Sequence, residues 1–446
     1  MGDQTVDLLG RLVRLGCVND LTADSGGEER AADLLEEFFA GLPVSIERIT
    51  PHPGRTSLVV TVEGADPRSA GTPLTLLGHT DVVPVDTAKW TRDPFGAQIE
   101  DDVMWGRGTV DMLHMTAAMA VVTREVARRA QEGAPLTRSL VFVAAADEEA
   151  RGGLGVPWIG DNKPNALPWD AALSEMGGAH VRGHRGGDSV VVVVGEKGAA
   201  QRRLHIRGDA GHGSVPLGRM SAVERLAQVS AALSAARWPT ATDEVWAGFV
   251  RAFEFDETIE TSLINGTYEG DYSEFEDLAA FAHAISHVTV AQTVAHSGGP
   301  INVLPSHATL ELDIRTLPGV NDDDVDAAIA AALGDLAEHV TIERLLSEAA
   351  TASSIDTDLY RVIEAALTQR YPGTRVVPVF FPGGSDLRVA RRLGGIGYGF
   401  GAVDSGASLG QVYSQLHAHD EHIALADVRA TAEVLHEVVT SYLTDV

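Results

Sequence analysis

The 446-residue chain reads as an α/β protein in two parts: a large domain with a central mixed sheet flanked by helices, and a smaller α+β domain inserted into it. Three observations predict this. Short apolar runs at 74–77, 140–146 and 171–173 alternate with helical patterns, as in sheets covered by helices on both faces. Residues 204–345 follow the order βαββαβ, the split-βαβ pattern of a small two-layer domain. Beyond Ala350 the α/β pattern of the first block resumes. The boundaries that follow are 1–196 with 347–446 for the large domain and 197–346 for the insert.

In order along the chain, Leu8, Leu9, Leu12 and Leu15 recur at helical spacing, with Gly16 as a stop. Ser25 precedes Glu28 by three residues, a capping-box signature, and a helix with Leu34, Leu35 and Phe38 on one face follows. Strands are expected at 57–62 and 74–77, the second delivering His79 and Asp81 to its carboxyl end, where open α/β sheets bind ligands. A Gly-flanked turn, GRGT, leads to Asp111 and a helix from about 112 to 129. The buried strand 140–146 ends in Asp147, Glu148 and Glu149, and the segment 171–173 ends in Ser174 and Glu175. Acids in a row at the tip of an apolar strand have no packing rationale. A strand at 190–194 closes the block.

In the insert, Leu204 and Ile206 alternate with polar neighbours, and Ser221 with Glu224 forms another capping box ahead of a helix. Strands at 287–294 and 308–315 follow; in the second, Leu310, Leu312 and Ile314 face one way and Glu311, Asp313 and Arg315 the other. A helix at 321–338 and a strand at 340–345 complete it. Residues 239–286 interrupt the pattern with an acidic, partly helical segment. The large domain then resumes with a helix at 356–370, a strand at 376–381, a turn at 382–386, a strand at 396–400 and a last helix at 427–443. His180 with His184 and His283 with His287 read as surface pairs.

Composition narrows the function. A formal charge of -29 repels phosphate backbones and anionic lipid, which argues against nucleic-acid or membrane partners. A lone Cys17 excludes an internal disulfide framework. There is no signal-peptide pattern, and no run approaches the ~20 apolar residues of a membrane span, so a cytoplasmic protein is expected. The chemistry-bearing residues are His79, Asp81, Asp111, Glu148, Glu149, Glu175 and a histidine from the cluster QLHAHDEH at 415–422. Imidazole and carboxylate without thiolate suit zinc, cobalt or manganese.

The segments GHTDVVP, WTRDPF, GRGTVDM, DEE at 147–149 and HAHDE at 417–421 resemble the M20 family of co-catalytic zinc exopeptidases and deacylases. GEKG at 195–198, GHGSVP at 211–216 and INVLPSHATLELDIR at 301–315 extend the resemblance into the insert, so it covers nearly the whole chain. The family includes glutamate-releasing carboxypeptidases, aminoacylases, acetylornithine deacetylase and succinyl-diaminopimelate desuccinylase. The resemblance implies a ferredoxin-like lid and dimerisation domain for the insert, two Zn2+ ions (or Co2+ or Mn2+), and a homodimer formed through that domain.

Residue by residue, it implies that His79 and Glu175 hold one metal, Glu149 and His417 the other, and that Asp111 bridges them. His417 is preferred to His419 and His422 by the family spacing to Asp420 and Glu421. Asp81 is expected to accept a hydrogen bond from the far nitrogen of His79, and Glu148 to be the general base. His212 matches a histidine that reaches the partner subunit's site to stabilise the oxyanion, Asn302 a substrate or oxyanion contact, and Arg315 the grip on a substrate carboxylate. Gly383 and Gly384 are expected to bring backbone N–H groups to the same carboxylate. The family usually has Lys and Gly where this chain has Leu113 and His114.

The function implied is a dinuclear-zinc amide hydrolase, either a carboxypeptidase or an N-acyl-amino-acid amidohydrolase, cleaving a small substrate with a free carboxylate. The alternatives are a biosynthetic deacylase of the acetylornithine or succinyl-diaminopimelate type and a non-catalytic metal-binding member.

Overall fold

The computed structural model describes residues 1–64, 71–134 and 136–444. In the large domain the strands run in the spatial order Ser45–His52, Arg55–Val62, Leu140–Ala145, Leu74–His79, Ala171–Ser174, Ile396–Gly399, Asp188–Glu196 and Thr351–Ala352. Arg375–Phe381 and His180–Arg182 also pair with Asp188–Glu196. The sheet is mixed. Leu74–His79 lies parallel to both Leu140–Ala145 and Ala171–Ser174, and Ile396–Gly399 is parallel to the latter. Arg55–Val62 is antiparallel to both of its neighbours. Three parallel strands therefore end at one rim, and their ends carry His79, the acids 147–149 and Glu175.

Both faces of these strands are covered, which is why their sequences are continuously apolar. Leu140, Phe142 and Ala144 face the core beneath helices Gly2–Leu15, Leu113–Gln131 and Leu425–Thr444. Val141 and Val143 face a second core with Val156 and Ile159 of helix Val156–Asn162 and Leu387, Val389 and Ala390 of helix Leu387–Arg392. Gly16, at φ 56°, terminates the first helix in the left-handed region that glycine tolerates best.

The smaller domain is a four-stranded antiparallel sheet in the order Thr289–Ser297, His307–Thr316, Arg202–Arg207, Val340–Arg344, with Gly198–Ala199 added at the base of His307–Thr316. Helices Ala222–Ala235 and Asp322–Leu333 cover one face. The alternation in 308–315 emerges as read, with Ala308, Leu310, Leu312 and Ile314 buried. Ser221 and Glu224 form the expected capping box.

Three expectations are corrected. Ser25 and Glu28 do not make a capping box: the helix spans Glu29–Phe38 with no side-chain cap, because the Glu28 carboxylate turns inward to Arg55 and the Asp147 N–H. His180 is not a surface residue. It is 6% exposed, with its ring between the Asp188 carboxylate and the Val403 carbonyl. Residues 239–286, which interrupt the small domain in sequence, pack in space against the large one. Helix Glu244–Ala252 lies on strand Arg375–Phe381, and its Trp246 and Phe249 form an aromatic cluster with Phe253 and Phe275. A strand at Ser45–His52, polar along most of its length, was not foreseen.

Candidate metal centre

His79 sits at the tip of a buried strand and is itself 1% exposed. Its Nε2 lies 3.2 Å from Asp111 Oδ1 and 3.9 Å from Glu175 Oε2. The other ring nitrogen, Nδ1, is 2.9 Å from the backbone carbonyl of Asp81 and 3.7 Å from the Asp81 carboxylate. The expected hydrogen bond from His79 to the carboxylate is therefore replaced by one to the carbonyl, which fixes the same tautomer and leaves Nε2 free for a metal. The Asp81 carboxylate braces the acid turn instead, accepting the N–H groups of Glu148 and Glu149 at 3.2 and 3.1 Å and Asn19 Nδ2 at 2.8 Å.

On the other side of Asp111, His417 Nε2 lies 3.3 Å from Asp111 Oδ2 and 3.2 Å from Glu149 Oε2. Asp111 thus turns one oxygen to each imidazole. Two ligand groups result, His79 with Asp111 and Glu175, and Asp111 with Glu149 and His417, the ligand atoms of each lying within 4.8 Å of one another. His422 is drawn away from the centre by stacking on Trp105 at 4.2 Å.

Asp111 is placed by a residue from the far end of the chain. The buried Glu421 carboxylate accepts the N–H groups of Gly108, Val110 and Asp111 at 3.0, 2.7 and 3.2 Å and pairs with Arg107 at 2.6 Å. A second buried network holds the acid turn: Arg55 joins Glu28 at 2.7 Å and Asp147 at 2.5 Å, and Asn19 reaches Asp147 at 3.0 Å. Sequence reading missed both. The signal for Glu421 was there, since it lies inside QLHAHDEH. For Arg55 it was an arginine at the head of an apolar strand.

The charges do not balance within the centre. Burial works against ionising Asp111, but the contacts from His417 and His79 win and hold it well below the usual carboxylate range. Burial likewise opposes charge on His79, and Asp111 and Glu175 override it and raise its pKa well above normal. Contacts from Asp111 and Glu149 raise His417 to about 10. Glu149 is pushed up to about 7 by burial and then by the Asp111 charge, and burial raises Glu148 and Glu175 as well. Four carboxylates thus share two imidazoles, and Glu149 Oε1 and Glu175 Oε2 are buried without any hydrogen-bond partner. Orphaned carboxylate oxygens in a cluster with two imidazoles fit divalent cations, and the nitrogen and oxygen donors suit zinc, cobalt or manganese.

The centre opens into a cavity of about 410 Å³ between the two domains. Glu148 lines it, as do Gly383, Gly384, Arg315 and Arg388, the last not anticipated. Arg315 is engaged by Asp313 through two contacts of 3.0 and 3.2 Å. His212 and Asn302 lie elsewhere, His212 on the antiparallel pair Gly211–His212 with Val303–Leu304 and Asn302 just before that second segment, its carbonyl accepting the Gly213 N–H at 2.7 Å. His212 is exposed, its Nδ1 2.8 Å from Ser214 Oγ, and neither residue lines the cavity of its own chain. His114 lines a separate cavity of about 220 Å³ on the far side of Glu175.

The pattern of Peptidase family M20/M25/M40 matches residues 75–441. A probable carboxypeptidase S-like 2 of Dictyostelium discoideum is 28% identical over 74% of this chain, and the match spans 64% of that relative's length. A succinyl-diaminopimelate desuccinylase of Cereibacter sphaeroides is 26% identical over 98% of both chains. Among solved structures, an M20 family metallo-carboxypeptidase of Sulfolobus solfataricus superposes with a TM-score of 0.71, at 20% identity over 99% of each chain.

Proposed function

We propose that this chain, which belongs to peptidase family M20/M25/M40, is a metal-dependent hydrolase of amide bonds, a dinuclear-zinc carboxypeptidase or N-acyl-amino-acid amidohydrolase acting on small substrates with a free carboxylate. The observation that carries this reading is Asp111, with one oxygen toward His79 and the other toward His417. His79 and Glu175 would hold one ion, Glu149 and His417 the other, with Asp111 between. Two zinc ions bound there would polarise the scissile carbonyl and make a bound water acidic.

The chain's own part follows from its geometry. Glu148 belongs to neither ligand group yet lines the same cavity, so it takes the proton of the attacking water and returns it to the leaving amine. Arg315 and the Gly383–Gly384 turn line the same cavity and orient the substrate. His212 and Asn302 lie outside the cavity of their own chain, so they would serve a partner subunit across a homodimer. The exposed Val215, Leu217, Ile301 and Val303 around them supply an apolar surface for that contact. Among the described residues no helix is long and apolar enough to cross a membrane.

A second reading, removal of an acyl group from a diamino acid, is favoured by the desuccinylase relative and by Glu348, a part-exposed acid in the cavity wall able to meet a distal ammonium. A screen of N-acyl amino acids, dipeptides, N-acetylornithine and N-succinyl-diaminopimelate, with and without chelator, decides between them. Chelator-sensitive hydrolysis confined to the last two substrates would displace the first reading. If the metal-loaded protein cleaves none of them, both fail.

A further inference from the structure

We propose that the cavity at the metal centre continues past Met176 into an apolar neck and chamber that take an unbranched aliphatic chain of the substrate, with the 239–286 segment closing the neck. The inference rests on the amide-hydrolase reading above and names a substrate class for it. Met176, Phe381, Tyr413 and Leu416 line the metal-centre cavity and also a smaller space of about 30 Å³, the neck. Met176 directly follows Glu175 in sequence and Leu416 directly precedes His417, so the mouth of the neck lies beside both ligand groups. A substituent next to the scissile carbonyl therefore meets apolar carbon there, although the rest of the cavity is lined largely by charged side chains.

Apart from the Tyr413 hydroxyl, the neck has no polar side chain among the described residues. One of its walls is Phe281, from the segment 239–286. It is 4% exposed, stands edge-on to Tyr413 at 5.3 Å and has Phe249 beside it at 5.9 Å. The aromatic cluster of this segment thus reaches the neck, which gives the segment a task at the site. Met176, Gly177 and Val412 line the neck and also the chamber of about 220 Å³ that His114 lines. The chamber wall is mainly apolar, with Met115, Phe400 and Ile423 in it. Of the described residues, Met176 alone lines all three spaces. Its backbone sits at φ 72°, in the left-handed region, and its unbranched thioether is a partition that can change rotamer where a branched or aromatic side chain could not. The neck has room for about two or three waters, enough for a thin chain to thread. Apolar space joined to a charged site fits a substrate with a polar head and an aliphatic tail, because burying the tail is favourable only there.

The test measures binding by calorimetry to the zinc-loaded Glu148→Gln protein, so that no turnover is needed. Two probe series separate the two places where the chain could be attached. N-acetyl-, N-hexanoyl- and N-octanoylglycine lengthen the acyl part; the N-acetyl derivatives of alanine, 2-aminohexanoate and 2-aminooctanoate lengthen the side chain. In at least one series affinity rises with length, by up to about fourfold for each methylene buried. Val412→Trp, which fills the passage from neck to chamber, removes roughly tenfold or more of the gain of the longest probe and leaves the shortest probe and the metal content unchanged. Met176→Gly, which takes the partition away without crowding any neighbour, strengthens the longest probe alone. Two flat series, or a gain with length that is the same in the parent, Val412→Trp and Met176→Gly, would overturn the proposal. A gain with length that Val412→Trp abolishes, without any hydrolysis by the wild type, would sink the hydrolase reading and leave this one standing.

Discussion

Glu421 lies beneath Asp111 and accepts its backbone N–H at 3.2 Å, although 310 residues separate the two. The same carboxylate takes the N–H of Gly108 and Val110 and the Arg107 guanidinium, so one buried acid ties the segment before the C-terminal helix to the turn that carries Asp111. Glu421→Ala should cost about 3 to 5 kcal/mol by stranding Arg107 and, in protein that still folds, weaken metal binding roughly 10- to 100-fold. Denaturant melts and metal titration check the two effects separately. Wild-type metal affinity in a destabilised variant would deny Glu421 any part in placing Asp111.

Asp81 should act on Glu148 and Glu149 more than on His79, because its carboxylate accepts both of their N–H groups while the imidazole leans on its carbonyl. Asp81→Asn keeps the carbonyl and one acceptor oxygen, and should lower metal affinity by about tenfold. Zinc competition with a chromogenic chelator measures it. A drop confined to the ion held by His79 and Glu175 would point back to the imidazole.

Loading the centre should stabilise the fold, since cations compensate carboxylates that are buried in excess of their partners. With free zinc at about a thousand times its dissociation constant the gain is about 4 kcal/mol, and chelator should remove it along with activity. Thermal melts with and without metal test this; a melting temperature indifferent to metal would contradict the assignment of the ligand groups.

Glu28 makes a prediction about pH. Burial, then the charge of Asp81, raises its pKa from 4.5 to about 7. A group whose pKa rises on folding contributes stability fully present below its unfolded value and lost as pH climbs through the folded one. The shift corresponds to about 3 kcal/mol between pH 4.5 and 7. Glu28→Gln should flatten that part of the stability profile, while Arg55 keeps its pairing with Asp147. A profile with the wild-type slope would show that Glu28 is ionised throughout.

The parts of the site most legible in sequence were those where burial and charge collide locally. Apolar runs that stop at His79, at Asp147 to Glu149 and at Glu175 announce groups that a core has no use for. The order βαββαβ was equally open, because alternation in 308–315 and the Ser221–Glu224 box are short-range signals that tertiary structure did not override. The Ser25–Glu28 box shows the opposite case. Its spacing was right, but Arg55 and the Asp147 N–H compete for the same carboxylate from 27 and 119 residues away, and a buried ion pair outweighs an exposed cap. The same distance hid Glu421 and the docking of residues 239–286, whose aromatic residues say that they are buried but not against which domain. His417 could be chosen over His419 and His422 only through the family spacing; the structure sets His417 apart by placing its Nε2 beside Asp111 and Glu149.

In the proposed mechanism five residues hold two metals and Glu148, bound to neither, moves the proton. Its most direct test is metal content and turnover of Glu148→Gln beside the wild type, on whichever N-acyl amino acid or dipeptide the wild type cleaves best. The expected result is an unchanged stoichiometry of two ions per chain with kcat reduced roughly 100- to 10,000-fold, the usual contribution of a positioned base. Undiminished turnover, or loss of one of the two ions on removing this carboxylate, would contradict it.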